Sequence, residues 1–244
     1  MENICFIIAH RYYRAYTSYI AHYVNNIQKF YKDSFVIIVD NNSTYIDDIK
    51  ELLKDYNNIV IIDNETLCKF EIGAYKRGIQ YMIDNDLLMK YEYVVFSQDN
   101  FVLKNKLEFS GLLKYDVRAC SFVTRPRHRE HYDKEEVKTM FSKTGVSLDT
   151  PTVDLCWCNS FILHRSNLIK FLEIVKDLVI TVRLQSEYSE RYLSAILYHL
   201  NNRCASSLYT HVTYDCWTID IINTRVRHYF IKRLQQKNEN TPDK

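Results

Sequence analysis

Long apolar runs are missing from this 244-residue sequence. No run reaches the roughly 18 consecutive apolar residues that a membrane-spanning helix needs, so we expect no membrane span. The first ten residues, MENICFIIAH, lack the basic stretch that opens a secretory signal peptide. Together these absences predict a cytoplasmic protein.

A strong net charge is also missing. The 32 Lys and Arg residues are balanced by 30 Asp and Glu residues, which leaves a formal net charge of +2. A chain so balanced directs no broad electrostatic field at nucleic acid or at a membrane surface. A short basic stretch, RPRHREH at 125–131, runs directly into acidic residues, as is usual for a solvated loop. We therefore expect no nucleic-acid partner.

Paired cysteines, glycines and prolines are scarce as well. Seven cysteines are scattered without a CxxC pair, which argues against a zinc ribbon or a disulfide framework. There are only 4 glycines and 3 prolines, but 20 tyrosines. This bias, with abundant Ile, Asn and Lys, is typical of an AT-rich genome, such as that of a virus or a bacterium. With 47% hydrophobic and 25% charged residues, the composition is otherwise that of a globular protein.

The sequence does contain a regular alternation of strands and helices in its first hundred residues. Short apolar runs predict strands at 4–9, 34–40, 59–63 and 92–97, and the first of these runs is typical of a strand buried on both faces. Helical spacing of apolar residues predicts a helix after each of the first three strands. Such an alternation implies parallel strands joined by right-handed crossovers. The predicted fold class is therefore α/β, an open, mainly parallel, doubly wound sheet.

The pattern is less regular after residue 104. Apolar runs predict strands at 117–123, 157–163 and 206–212. Helical periodicity predicts helices over 168–175 and 186–200. We expect this second half of the chain to complete the sheet less regularly than the first.

Two polar stretches and the C-terminal residues lie outside these predicted elements. The stretches 124–136 and 142–154 are predicted loops that could close as lids over a ligand. Residues 235–244 are polar and predict a flexible tail. Because no repeat or linker divides the rest, we predict a single domain over 1–234.

Carboxylates end three of the predicted strands. Asp40, Asp63 and Asp99 each follow an apolar run. In open α/β sheets, ligands bind outside the carboxyl ends of the strands, where these residues should lie. Three carboxylates on one edge repel each other, so folding alone does not explain them. Asp often serves as a turn residue, which we favour for Asp63, whereas Asp40 and Asp99 stand beside further polar groups.

Three segments resemble the successive motifs of GT-A-fold glycosyltransferases, chiefly of the family-2 type. They are FVIIVDNNS at 35–43, EIGAYKRGIQYM at 71–82 and YVVFSQDNFVL at 93–103. The resemblance implies that Asp40 contacts the nucleotide base. It also implies that Asp99 belongs to a DxD-like motif, which holds a divalent metal, Mn²⁺ or Mg²⁺, on the diphosphate of a sugar nucleotide. On this basis 1–103 is the nucleotide-binding half and 104–234 the acceptor half.

The same resemblance assigns further residues to the donor site. A full DxD motif has two carboxylates, whereas Gln98-Asp99-Asn100 has one. Lys76 and Arg77 could supply part of the missing counter-charge, or they could form a solvated helix face. His211 could complete the metal site, with a structural histidine as the alternative. The predicted donor-binding residues are Ala9, His10, Arg11, Asp40, Gly73, Lys76, Arg77, Gln98 and Asp99.

The acceptor hydroxyl needs a general base in an inverting transferase. The segments WCNSFILHRSNLIKFL at 157–172 and SERYLSAIL at 189–197 resemble the acceptor side of such enzymes. Glu190 is the first candidate for the base and Glu187, one helical turn away, is the second. Asp154 is the third. Acidic residues near a helix N-terminus also stabilise the helix dipole without any catalysis, which is the alternative for both glutamates.

The resulting hypothesis is a glycosyltransferase that moves a sugar from a nucleotide-sugar donor to a glycan or other hydroxyl acceptor, assisted by a metal. A nucleotidyltransferase is one alternative, although AHRYYRAY at 9–16 contains no glycine to cradle a triphosphate. A non-catalytic binding protein on the same scaffold is the other, and the thinned acidic motif favours it. The sequence gives no indication of oligomeric state.

Overall fold

The structure is a computed structural model that describes the following residues: 3–11, 17–44, 46–99, 101–103, 106, 117–119, 122–124, 135–146, 154–201, 204–205 and 212–213. Its strands are β1 Ile4–His10, β2 Phe35–Asp40, β3 Ile59–Asp63, β4 Tyr93–Gln98, β5 Val102–Leu103, β6 Val117–Ala119, β7 Phe122–Thr124, β8 Asp154–Cys156, β9 Phe161–His164, β10 Cys204–Ala205 and β11 Val212–Thr213. Its helices are α1 Thr17–Phe30, α2 Ile46–Leu53, α3 Phe70–Asp84, α4 Glu135–Ser142, α5 Leu168–Val175 and α6 Arg183–Asn201.

Within the described residues, seven strands form the main sheet. Their order is β10-β6-β9-β4-β1-β2-β3, and β1 pairs in parallel with both β2 and β4. β3 continues the parallel arrangement beside β2, whereas β9 runs antiparallel between β4 and β6. The predicted fold class, an open and mainly parallel α/β sheet, is confirmed.

Helices cover both faces of this sheet. One face packs against α1 and α2, with Phe6 and Ile8 of β1 in that core. The other face packs against α3, α5 and α6, with Cys5 and Ile7 in that core. All seven residues of β1 are buried, because neighbouring strands and helices surround it on every side. Hence β1 is a continuous apolar run, and the doubly wound arrangement is confirmed.

The chain changes direction across the sheet at β1. From β1 it passes to β2 and β3 on one side, and then returns to β4 on the other side. The crossover helices on the two sides of β1 therefore lie on opposite faces, α1 with α2 on one and α3 on the other. The carboxyl ends of β1 and β4 are therefore a topological switch point, the place where open α/β sheets bind ligands.

Close packing of α3 on β1 depends on a glycine. A Cβ atom at Gly78 would lie 2.5 Å from Cγ2 of Ile7. Real Cβ contacts are essentially never that short, so any larger residue would push α3 away from β1.

Two predicted elements need correction. The predicted strand 117–123 is two separate strands, because β6 joins the main sheet and β7 pairs with β8 in a small sheet of its own. The predicted strand 157–163 begins only at Phe161, since Trp157–Asn159 form a 3₁₀ turn. Within the described chain, no helix is long and apolar enough to cross a membrane.

Several predicted features lie wholly or partly outside the described residues. The tail 235–244 and most of the predicted lids 124–136 and 142–154 belong to this group. The division of the single domain 1–234 into halves at residue 103 stays a prediction.

Candidate active site

The switch point brings together two residues that are 89 positions apart in sequence. His10 ends β1, and Asp99 directly follows β4. The His10 Nδ1 atom lies 2.6 Å from the Asp99 Oδ2 atom, and the backbone N–H of Arg11 donates to the same oxygen at 3.3 Å. A carboxylate can only accept, so Nδ1 carries the proton in this bond. Ala9 and Gln98, both predicted site residues, are register partners in the adjoining strands.

The imidazole of His10 is almost fully enclosed. Its side chain is 2% exposed, and the buried Nε2 atom has no hydrogen-bond partner among the described residues. Buried polar atoms without a partner are uncommon and costly, by about 1–3 kcal/mol. Because Asp99 fixes the ring from one side, Nε2 has a defined direction.

Asp99 retains the capacity to ligate a cation. Its side chain is 25% exposed, and the two donors described above both bind Oδ2, which leaves Oδ1 as the oxygen for a ligand. Among the described side chains, no three or more His, Cys, Asp or Glu residues are grouped as a metal cage. Mg²⁺ in phosphate-binding sites is often held by one or two carboxylates, with phosphates and water completing the shell. A single Asp99 oxygen fits that mode, and His211 lies outside the described residues.

Asp40 has local partners at the end of β2. It is 3% exposed, and its Oδ2 atom accepts the backbone N–H of Ser43 at 2.7 Å. The hydroxyl of Ser43 donates to Oδ1, and Asn42 between them has a positive φ of 67°. The Asp40 carboxylate thus closes the turn that leads to α2. Asp40 is also the register partner of His10, and its contact with a nucleotide base stays a prediction.

The predicted residues of α3 have different surroundings. A Cβ atom at Gly73 would lie 1.8 Å from the Cys68 carbonyl oxygen, so the loop before α3 can approach only a glycine. The Lys76 ammonium donates to the carbonyl oxygens of Lys176 and Leu178, the latter at 3.1 Å. Lys76 therefore ties α3 to the end of α5. Arg77 is half-buried in the next position of α3. The structure does not bring either cation into contact with His10 or Asp99.

Gln98 is hydrogen-bonded to Glu71, a residue that the sequence analysis did not identify. Its Nε2 atom donates to Glu71 Oε1 at 2.6 Å. The other oxygen of Glu71 accepts from the Ser186 hydroxyl and from Asn159 Nδ2 at 3.4 Å. Burial raises the pKa of the Glu71 carboxyl, although its hydrogen bonds act in the opposite direction. In the sequence Glu71 resembles any acidic residue in the first turn of a helix, so no local signal reveals these partners.

The WCN turn, Trp157–Asn159, carries unusual backbone conformations. Cys158 and Asn159 both have φ of 52°, a left-handed region that non-glycine residues rarely occupy. The backbone N–H of Cys158 donates to Glu190 Oε1 at 2.9 Å. Strained backbone of this kind persists only when surrounding contacts over-determine it, and it is concentrated at functional sites.

The two candidate glutamates of α6 have separate environments. Glu190 is half-buried against the WCN turn, whereas the exposed Glu187 pairs with Arg183 at 3.0 Å. The structure therefore joins Glu190, and not Glu187, to the polar residues around β4. Asp154 begins β8 opposite Thr124, away from the main sheet.

Comparison with known proteins gives distant structural likenesses but no match by sequence. No protein-family profile and no curated protein sequence matches the chain. One similar solved structure is the bifunctional glycosyltransferase WbbM in its apo form, with 11% identity and a TM-score of 0.41 over 72% of this chain and 34% of that one. Another is the mannosyltransferase PcManGT from Pyrobaculum calidifontis in complex with GDP-mannose and Mn²⁺, with 14% identity and a TM-score of 0.44 over 69% of this chain and 46% of that one. The matches thus span less than half the length of each of these two glycosyltransferases.

Proposed function

We propose that this chain is a glycosyltransferase, which moves a sugar from a nucleotide-sugar donor to a glycan or another hydroxyl acceptor. The observation that carries the proposal is the half-buried Asp99 carboxylate at the switch point, held by His10 and the Arg11 N–H. Open α/β sheets bind ligands at this place, and a carboxylate there suits a phosphate-bound cation.

The donor side of the reaction centres on Asp99. A nucleoside diphosphate leaves with its negative charge, which must be neutralised as the glycosidic bond breaks. A divalent ion supplies that counter-charge when it is bound. Asp99 Oδ1 would hold it, while His10 and Arg11 fix the orientation of the carboxylate through Oδ2. Asp40, Gly73 and Ala9 would line the nucleotide side.

The acceptor side centres on Glu190. A carboxylate near the acceptor hydroxyl can remove its proton as the new bond forms. The Cys158 N–H binds Oε1 of Glu190, so this carboxylate has a defined direction. Glu187 is a weaker candidate, because it is exposed and pairs with Arg183. Asp154, in the separate two-stranded sheet, stays the third candidate.

A donor hydrolysis screen tests this function. Many transferases slowly hydrolyse their donor when no acceptor is present, so the wild-type chain should release nucleoside diphosphate from one of a set of UDP-, GDP- and dTDP-sugars. Each donor is assayed with Mn²⁺, with Mg²⁺ and with EDTA. Asp63→Asn is the matched control for Asp99→Asn, since Asp63 also ends a strand but is exposed. Absence of release from every donor, with an intact fold, would overturn the proposal.

A binding protein on the same scaffold is the second candidate. The observation that favours it is the single carboxylate at the switch point, which is already bonded to His10. If the chain is such a binding protein, a sugar nucleotide should raise its melting temperature without being consumed. Thermal shift and product release, measured on the same samples, therefore separate the two candidates.

A further inference from the structure

We infer that Glu71 is a positioning residue, which holds the donor side and the acceptor side of the site in one fixed arrangement. The inference rests on the proposed transferase function for its kinetic consequences, but its structural consequences can be measured without it. Nothing in the sequence motifs assigns a role to Glu71.

Glu71 accepts hydrogen bonds from three different elements. Gln98 belongs to β4, Asn159 to the WCN turn, and Ser186 to α6. The same cluster includes Ser189, whose hydroxyl donates to Asn159 Oδ1 at 3.0 Å. Asn159, Ser186 and Ser189 are all at most 6% exposed, so little water competes for these bonds.

A carboxylate is an unusual choice for a half-buried position whose partners are themselves buried. Burying an ionised group costs several kcal/mol, and apolar side chains of the same volume often stabilise a protein as well or better. None of the ion pairs among the described residues includes Glu71. An ionised carboxylate has two oxygens that only accept hydrogen bonds. The side-chain amides of Gln98 and Asn159 must therefore both point their N–H₂ groups towards it. Stability alone does not explain a carboxylate at this position, whereas the need to orient Gln98 and Asn159 does.

Each end of the cluster leads to one of the proposed reacting groups. Gln98 is adjacent in sequence to Asp99, which carries the donor side. Asn159 is adjacent to Cys158, whose N–H binds Glu190 on the acceptor side. Both Cys158 and Asn159 have a left-handed backbone, which needs such contacts to persist. Because three protein donors occupy both oxygens of Glu71, it acts on the reaction through these neighbours.

Reversing the Gln98–Glu71 hydrogen bond tests the inference. In Glu71→Gln, the new N–H₂ group faces one of the three donors Gln98, Asn159 and Ser186 and cannot accept from it, so the cluster loses one hydrogen bond. In the double variant Glu71→Gln/Gln98→Glu, the new amide at position 71 can donate to the new carboxylate at position 98 and still accept from Ser186 and Asn159. We expect kcat for donor hydrolysis to fall about tenfold or more in Glu71→Gln, with KM within about threefold of wild type, and to recover in the double variant. Gln98→Glu alone places two carboxylates together and should be the poorest of the three.

Hydrogen exchange supplies a readout that does not need activity. The Cys158 amide is protected by its bond to Glu190, so Glu71→Gln should speed exchange in 157–160 and leave that in 4–10 unchanged. The double variant should restore protection, and Ser186→Ala should show a smaller change of the same sign. If Glu71→Gln does not fold, Ser186→Ala provides the test, since it removes only a hydroxyl. Glu173→Gln, at an exposed position of α5, is the matched control.

The outcomes separate the two proposals. If no donor is hydrolysed but exchange changes as expected, the transferase function fails and the linking role of Glu71 stands. If hydrolysis occurs and Glu71→Gln keeps wild-type kcat and wild-type exchange in 157–160, the role of Glu71 is overturned. It is also overturned if the double variant is no closer to wild type than Glu71→Gln in both measurements, because the linking role requires that a reversed hydrogen bond restore the cluster.

Discussion

Asp40 and Asp99 end neighbouring regions of the same sheet and have similar sequence contexts, yet their partners differ in kind. Asp40 bonds to Ser43, three residues later, and is 3% exposed. Asp99 bonds to His10, which lies on a different strand, and is 25% exposed. The first carboxylate closes a turn, and the second joins two strands at the switch point with one oxygen left for a ligand. The position of its partner thus determines which part of the structure each carboxylate holds in place.

The largest effect that separates the two residues should be on activity. Asp99→Asn keeps the shape and the acceptor for His10 but removes the charge. We expect metal-stimulated turnover to fall by about 10²–10³-fold, or about 2.7–4 kcal/mol of transition-state stabilisation, since the leaving diphosphate loses its counter-charge. The melting temperature should stay close to that of wild type. Turnover across a Mn²⁺ titration, with melting curves of both proteins, is the measurement. Wild-type turnover in Asp99→Asn would remove the basis of the proposed metal site.

Asp40→Ala should have its main effect on stability. The Ser43 N–H and hydroxyl lose their acceptor at a partly buried turn, so the free energy of unfolding should drop by about 1–3 kcal/mol. Ser43→Ala removes only the hydroxyl bond and is the milder control. The sequence alone predicts a different result, weaker nucleotide binding with an unchanged melting temperature. Urea denaturation and nucleotide calorimetry on the same variant measure the two contributions separately, and an unchanged free energy of unfolding would contradict the turn role.

The contact between His10 and Asp99 can also be measured as a coupling energy. His10 and Asp99 are in contact, so a double-mutant cycle with His10→Ala and Asp99→Ala, each of which removes the contact, should give a stability coupling of about 0.5–3 kcal/mol. The same cycle between His10 and Ser43, which share no described contact, should be additive within about 0.5 kcal/mol. Additivity of the first cycle would mean that the short His10–Asp99 contact contributes no net stability.

The contrast also shows what could be read from the sequence. The strands β1, β2 and β4 were predictable, because a strand buried on both faces needs a continuous apolar run, and the half-buried edge strand β3 has such a run as well. The WCN turn was not, because Cys158 and Asn159 stand before the apolar segment 161–163 and take their conformation from Glu190 and Glu71. The charge of Lys76 suggests a phosphate partner, whereas its partners are carbonyl oxygens 100 or more residues away. Local patterns specify elements, but the partner of a polar side chain is set by the packing of distant ones.

The smallest expected effect is the pH dependence that Glu71, a half-buried carboxylate in the first turn of α3, gives to the free energy of unfolding. Burial raises its pKa in the folded chain, so above the unfolded value of about 4.3 the folded state retains the proton longer than the unfolded state does. The contribution of this group to the free energy of unfolding is therefore greatest below that value, and it decreases as the pH rises through the folded pKa. The free energy of unfolding of wild type should accordingly decrease relative to that of Glu71→Gln as the pH rises above about 4.3. Urea denaturation at several pH values measures it, and repeating the series at high salt is the control, since screening weakens surface charges much more than a buried one. A difference that moves in favour of wild type as the pH rises would show that the hydrogen bonds from Gln98, Asn159 and Ser186 outweigh desolvation.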